Sequence, residues 1–314
     1  MSSVEWRVLC AQYSCTIKKS CTFTSCLECD FGMRIFQVFL WIVSFSFCFF
    51  SFVTSRVKNE LLEDIRNYET LTESVEEPRI LLIGQIGSGK SSFFNSVNSV
   101  FRGHVIQQAG SGHGETSMSK WYRTYPVHDG KGGKKLPFAL CDTMGLEREE
   151  NEEGIHKDDI ISVIKGHVPD LYEFNPKEPI TKNDTRYRHA PGLGDKVHCV
   201  VFVIDADKLS LIDNILQQKF QRIRSDVYEM VIIQDGAEIT PTFRKITVGS
   251  PKQLGQILGV TVSAISLVKN YSSGTELDQN VDILILKALQ QMLRATDACL
   301  DEMKLRGLTE SSSS

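Results

Sequence analysis

The sequence has no excess of basic residues. Its 314 residues contain 35 lysines and arginines against 39 aspartates and glutamates, so the formal net charge is -4 at pH 7. This balance argues against a broad electrostatic surface for nucleic acid. Disorder over the whole chain is excluded as well, because 41% of the residues are hydrophobic and 24% are charged. The length suits one large domain, or one domain with an extension.

A complete disulfide framework is also absent, because the chain has nine cysteines, an odd number. Six of them lie within residues 1–56, and three are scattered through the remainder. Cys21, Cys26 and Cys29 have C-x4-C-x2-C spacing, but no His or Cys follows at the distance that would complete a zinc site. We interpret the leader cysteines as free thiols, and the three others fit a reducing, cytosolic compartment.

Residues 35–55 are uncharged and very apolar, with Arg34 before them and Arg56 after them. The stretch is long enough to cross a bilayer. Three interpretations stay open: a membrane anchor, the apolar core of a secretory signal that starts at Met33, or an atypical start of the chain with no structural role.

The strongest motif lies at residues 84–91, which read G-Q-I-G-S-G-K-S and match G-x-x-x-x-G-K-[ST]. An apolar run at 80–83 precedes the motif, and apolar residues at helical spacing follow it. The order of strand, glycine loop and helix is the context in which this P-loop binds phosphate through backbone N–H groups. The candidate nucleotide-binding residues are therefore Gly84, Gln85, Ile86, Gly87, Ser88, Gly89, Lys90 and Ser91.

Side-chain roles follow from the same motif. Lys90 is expected to reach the β- and γ-phosphates, and the Ser91 hydroxyl to ligate the Mg²⁺ that bridges them. Thr116, in a glycine-rich loop at 102–120, is a further candidate for a hydroxyl ligand of Mg²⁺, although a plain polar loop residue is the favoured interpretation.

A second motif, D-x-x-G, begins at Asp142 and follows an apolar strand. Asp142 is placed to hold Mg²⁺ through a water molecule, and the N–H of Gly145 to contact the γ-phosphate. The residue after Gly145 is Leu146 rather than the glutamine that orients water in small GTPases. We therefore expect slow or absent hydrolysis and assign no catalytic residue.

The remaining pattern alternates strands with helices, with an antiparallel hairpin early in the order. Strands are predicted at 80–83, 121–128, 136–142, 197–204, 229–233 and 261–268, and helices at 209–227 and 281–303. The predicted fold is α/β: a Ras-like P-loop nucleotide-binding fold, with a mostly parallel sheet and helices on both faces. We divide the chain into a leader at 1–56, a linker with a short helix at 57–78, a P-loop domain at 79–305 and a disordered tail at 306–314.

Recognition of the base is less clear. Ras-like folds usually select guanine through an N/T-K-x-D element after the fifth strand. Here Asp235 is the best-placed carboxylate, but no Lys or Thr stands two or three places before it, and a turn residue before Gly236 is the alternative. Lys269 is a candidate to lie along the purine face, and a solvated loop lysine is an equal alternative.

Three stretches carry a family resemblance. They are GQIGSGKSSFFNSVNSVFRGHV at 84–105, WYRTYPVHDGKGGKKLPFALCDTMGL at 121–146, and VKNYSSGTELDQNVDILILKALQQML at 268–293. Together they resemble the interferon-induced protein 44 and 44-like family, over roughly residues 57–314. The resemblance implies a cytoplasmic GTP-binding protein of the interferon-induced antiviral response, with GTP or GDP and Mg²⁺ at the P-loop. Longer members carry a TLDc-like domain ahead of this region, so we expect a short or alternatively started form.

Three functions are therefore open. The first is a guanine-nucleotide-binding regulator with protein partners in innate immunity and no nucleic-acid partner; membrane contact would come through 35–55. The second is an ATPase-type nucleotide module without guanine selectivity. The third is a non-catalytic interaction scaffold.

Overall fold

The computed structural model describes part of the chain in detail. The described residues are 52–106, 120–130, 133–146, 154–207, 218, 223, 229–235, 255, 259–271 and 276–306. The chain divides into two compact units, Met1–Ser55 and Arg56–Ser314. The leader cysteines, the stretch 35–55 apart from its last four residues, most of the predicted helix at 209–227 and the tail after Arg306 lie outside the described residues.

One mixed sheet organises the second unit. Its seven described strands are β1 (Arg79–Ile83), β2 (Trp121–His128), β3 (Lys135–Asp142), β4 (Tyr172–Glu173), β5 (Val197–Asp205), β6 (Glu229–Asp235) and β7 (Ile265–Lys269). They lie side by side in the order β4-β2-β3-β1-β5-β6-β7.

The prediction of a mostly parallel sheet needs correction, because the sheet is mixed. β1 pairs in parallel with β3 and β5, and β6 pairs in parallel with β5 and β7. β2 is antiparallel to both β3 and β4. The physical reason is the short turn between β2 and β3, since strands joined by a tight turn run antiparallel whereas parallel strands need a longer crossover. The α/β class itself is confirmed.

Four helices of the described residues have defined bounds. They are α1 (52–66), α2 (Lys90–Arg102), α3 (Lys157–Ile164) and α4 (Gln279–Leu305). The Asp278 side chain caps α4 by accepting the N–H groups of Asn280 at 2.8 Å and Val281 at 3.1 Å. Gly103 ends α2 at a φ of +75°, with its N–H donated to the Ser99 carbonyl. Among the described residues, no helix combines the length and apolarity needed to cross a membrane.

The sheet is covered on both faces. Alternate residues of β1 belong to different clusters: Ile80 and Leu82 pack with α1, α2 and α4, whereas Leu81 and Ile83 pack with α3 on the opposite face. This alternation follows from the two-residue period of a strand, and it explains why β1 is an unbroken apolar run. The central strand is thereby anchored from both sides, directly before the 84–91 loop.

The segment before β1 is also part of the packed structure. Leu61 and Leu62 of α1 are each 7% exposed and Ile65 is 1% exposed, and all three belong to the cluster formed with α2 and α4. The sequence pattern predicts a short amphipathic helix here, and from the sequence alone we assign the whole segment 57–78 as a linker. Elsewhere, the strand predicted at 261–268 begins only at Ile265, because a turn of 3₁₀ helix occupies Val262–Ala264.

Truncation of Ile65 tests whether α1 belongs to the cooperative core. We expect Ile65→Ala to lower the free energy of unfolding by about 2–5 kcal/mol, because the side chain is fully enclosed. Leu71→Ala is the matched control, since Leu71 is 52% exposed and should change stability by less than about 0.5 kcal/mol. Chemical denaturation of both variants measures the difference. Equal unfolding free energies for the two variants would show that α1 is not part of the core.

Candidate phosphate-binding site

The loop of residues 84–91 connects β1 to α2 and carries the predicted site. Gly87 and Gly89 have φ angles of +71° and +88°, which glycine adopts without a steric penalty. Gly89 is the N-cap residue of α2, and no side chain caps the helix there. A glycine loop that leads into a helix N-terminus without a side-chain cap is the backbone arrangement at which phosphate groups bind.

Gly84 marks a close approach of the loop to the neighbouring strand. A Cβ atom at this position would lie 2.2 Å from the Val203 carbonyl oxygen and 2.5 Å from Ser88 Oγ. Both distances are shorter than any van der Waals contact allows. Glycine at position 84 is therefore required by packing as well as by the motif.

Lys90 lies across the loop. Its Nζ donates to the carbonyl oxygens of Gly84 at 3.0 Å and Gln85 at 3.1 Å, and the residue is only 7% exposed. The ammonium group is thus held inside the concave side of the loop by backbone acceptors. An anion that enters the loop meets a fixed positive charge in addition to the field of the helix N-terminus.

Ser91 and Asp142, the two predicted Mg²⁺ residues in the described part, are in contact. Ser91 Oγ donates to Asp142 Oδ2 at 2.8 Å, and the other carboxylate oxygen accepts the N–H of Thr143 at 3.0 Å. Asp142 is 2% exposed. A hydroxyl and a carboxylate side by side supply the hard oxygen ligands that Mg²⁺ prefers, and Mg²⁺ sites usually add water and phosphate oxygens to one or two such protein groups. The described residues contain no group of three or more His, Cys, Asp or Glu side chains that could hold a metal.

The D-x-x-G segment is attached directly to the loop. The N–H of Leu146 donates to the Gly84 carbonyl at 2.9 Å, and Gln85 forms an isolated parallel bridge with Leu146. A Cβ atom on Gly145 would lie 2.6 Å from Ile86 Cγ1 and 2.9 Å from the Ile86 nitrogen. The two motifs are therefore joined by direct backbone contacts.

The predicted base-recognition residues are brought to one edge of the sheet. Asp235 ends β6 and Lys269 ends β7, and the two residues are partners in the parallel register. The carboxyl ends of these strands lie at the same edge as the end of β1, where the 84–91 loop begins, and ligands of open α/β sheets bind at this edge. Thr116 and residues 236–254 lie outside the described residues.

Asn270 is a site residue that sequence reasoning missed. It is 5% exposed, and its Nδ2 donates to the Gly89 carbonyl oxygen at 3.3 Å. The next residue, Tyr271, donates its backbone N–H to Ser96 Oγ of α2 at 2.9 Å. An asparagine directly after a strand was the one available sequence signal, but its partner lies 181 positions earlier in the chain.

Alanine substitutions at glycine positions test this packing. We expect Gly84→Ala to destabilise the fold by about 1–3 kcal/mol, because the strand carbonyl at Val203 cannot move without disturbing the sheet. Gly194→Ala is the matched control, since a Cβ atom there meets nothing within 4 Å. Thermal unfolding of both variants measures the effect. If Gly84→Ala were as stable as Gly194→Ala, the close approach would be disproved.

Comparison with known proteins gives one consistent group of relatives. Interferon-induced protein 44-like from Homo sapiens is 42% identical over 262 residues, which is 79% of this chain and 58% of the relative. Interferon-induced protein 44 from Homo sapiens is 41% identical over 261 residues, again 79% and 58%. The protein of that name from Mus musculus is 36% identical over 261 residues, covering 79% of this chain and 61% of the relative.

No family model matches the chain. The chain spans about three fifths of the length of the curated relatives it matches. At 36–42% identity over 79% of its length, the chain is a homologue of interferon-induced protein 44 and 44-like, as the three sequence stretches indicated.

Proposed function

We propose that this chain is an interferon-induced, cytoplasmic protein that binds GTP or GDP with Mg²⁺ at residues 84–91. The observation that carries the proposal is the joint geometry of Lys90 inside the glycine loop and Ser91 in contact with Asp142. The loop supplies a phosphate site and the hydroxyl–carboxylate pair supplies a cation site next to it. The names of the relatives support interferon induction.

The described residues suggest how such a ligand would be held. Lys90 would donate to phosphate oxygens in place of one or both of its carbonyl acceptors, and the loop N–H groups and the α2 N-terminus would supply further positive field for the same phosphates. Ser91, whose hydroxyl now donates to Asp142, would supply a hydroxyl oxygen to the cation, and the Asp142 carboxylate would supply charge for holding it through a water molecule. Mg²⁺ would neutralise charge on the β- and γ-phosphates.

The Ras-like interpretation of the fold is supported by the sheet. The order β2-β3-β1-β5-β6-β7 combines a parallel core with an antiparallel β2–β3 hairpin, whose strands are the next described ones after the helix that follows the loop. The D-x-x-G motif ends the inner strand of that hairpin and reaches the phosphate loop through Gly145 and Leu146. We propose that this contact reports the γ-phosphate to the rest of the domain.

Slow or absent hydrolysis is part of the proposal. Leu146, the residue after Gly145, is 1% exposed and packs in the cluster beneath the sheet. A side chain enclosed there is not available to orient an attacking water.

A second candidate function, nucleotide binding without guanine selectivity, remains because Asp235 lacks the lysine or threonine that normally precedes the guanine-reading aspartate. A function as a scaffold would require that the intact 84–91 loop binds no nucleotide.

Replacement of Lys90 tests the phosphate site. We expect Lys90→Ala to raise the dissociation constant for GTP at least about tenfold, because a charge-assisted contact to phosphate is removed. Lys182→Ala, at an exposed loop residue, is the control and should bind as the unchanged chain does. Fluorescence titration of the full chain with GTP and ATP gives both affinities. Selective GTP binding supports guanine recognition, whereas equal binding supports the unselective module; a folded chain that binds neither nucleotide would overturn the site.

Replacement of Ser91 tests the cation site separately. Ser91→Ala should weaken binding in the presence of Mg²⁺ by about tenfold and leave binding in a chelator unchanged, since only the metal ligand is lost. Ser92→Ala is the matched control, because the next helical residue points about 100° away around the axis. Titrations with and without Mg²⁺ measure the difference. Equal losses under both conditions would show that the hydroxyl is not a Mg²⁺ ligand.

A further inference from the structure

Helix α1 lies alongside α4 and runs parallel to it. Three polar contacts join the two segments in rising order along both: Lys58 with Asp282, Asp64 with Gln290, and Tyr68 with Asp297. Their distances are 2.6, 3.1 and 2.7 Å. The buried apolar residues of α1 pack on the same side, so the register between the helices is defined by polar and apolar contacts together.

The Lys58–Asp282 pair differs from the other two contacts because its carboxylate is fully buried. The Asp282 side chain is fully enclosed, and the Lys58 side chain is 21% exposed. A buried carboxylate that loses its cation retains the cost of desolvation without the attraction that offsets it. The position of α1 therefore determines whether Asp282 is charge-compensated.

Asp282 continues the connection toward the phosphate loop. Tyr271 Oη donates to Asp282 Oδ1 at 2.7 Å and accepts the N–H of Asp278 at 2.9 Å. The backbone N–H of Tyr271 is bound to Ser96 of α2, and its neighbour Asn270 donates to the Gly89 carbonyl. A continuous series of contacts thus leads from α1 to the N-cap of the helix that begins the candidate phosphate site.

We propose that docking of α1 on α4 regulates nucleotide affinity through Lys58, Asp282 and Tyr271. Docked α1 compensates Asp282, Asp282 fixes the Tyr271 side chain, and residues 270–271 hold Gly89 and α2 in the phosphate-binding arrangement. Coupling of this kind is reciprocal, so a bound nucleotide also stabilises the docked helix. The proposal rests on the nucleotide-binding function above. It assigns control of the site to α1.

The test compares two variants of the full chain, Lys58→Met and Tyr271→Phe. Lys58→Met keeps an unbranched side chain without its charge, and Tyr271→Phe keeps the ring without its hydroxyl. Each is expected to weaken binding of fluorescent GTP by about tenfold, within the usual range of coupling between sites. Amide hydrogen exchange without nucleotide should become faster in both variants at residues 89–96, a segment that contains neither substituted position.

Gln290→Ala is the matched control, because it removes an exposed α1–α4 contact and leaves Asp282 untouched. It should leave affinity and exchange at 89–96 unchanged. Lower melting temperatures for Lys58→Met and Tyr271→Phe with normal affinity and normal exchange at 89–96 would overturn the link.

The exchange measurement separates the two proposals. If the unchanged chain binds no nucleotide, the proposed function fails, whereas faster exchange at 89–96 in both variants would still support the link. Unchanged exchange there would reject the link even if nucleotide binds.

Discussion

The Gly84 carbonyl is the interaction on which the candidate site depends. It accepts one hydrogen bond from Lys90 Nζ and another from the Leu146 N–H, so both of its lone pairs are engaged. One oxygen atom thereby joins the lysine of the phosphate loop to the segment that follows the D-x-x-G motif. Because β1 is enclosed on both faces, this oxygen has a fixed position, and the groups bound to it are fixed with it.

The arrangement has a consequence for how a ligand could be sensed. If Lys90 leaves the Gly84 carbonyl for a phosphate, the Leu146 N–H remains as a partner of that oxygen, and the loop keeps its attachment to the second motif. The Gly145 backbone, which packs on Ile86 with no room for a side chain, would then stay beside the loop. This direct attachment is the physical basis on which the second motif is proposed to respond to a ligand in the loop.

The parts of this structure that the sequence predicts are local ones. The 84–91 loop follows from eight consecutive residues, and the buried strand before it from an apolar run. Contact between Ser91 and Asp142 follows from the positions of the two motifs at the carboxyl ends of β1 and β3, which are neighbouring parallel strands. The features that the sequence does not predict depend on contacts between distant parts of the chain. Asn270 donates to the Gly89 carbonyl, and α1 packs against α4 near the other end of the chain. Periodicity identifies an amphipathic helix at Leu61, Leu62 and Ile65, but no local pattern names the surface on which it docks.

The buried pair of Lys58 and Asp282 is better explained by specificity than by stability. An apolar pair of similar volume would often be equally stable, because burying two charges costs about as much as their attraction returns. An apolar contact would, however, tolerate sliding of α1 along α4, whereas one lysine facing one enclosed carboxylate tolerates a single register. Because Tyr271 Oη donates to the same carboxylate, the register of α1 on α4 influences the positions of residues 270–271 and, through them, of the α2 N-cap. A contact of modest net stability can in this way determine the geometry of a site at the opposite end of a series of hydrogen bonds.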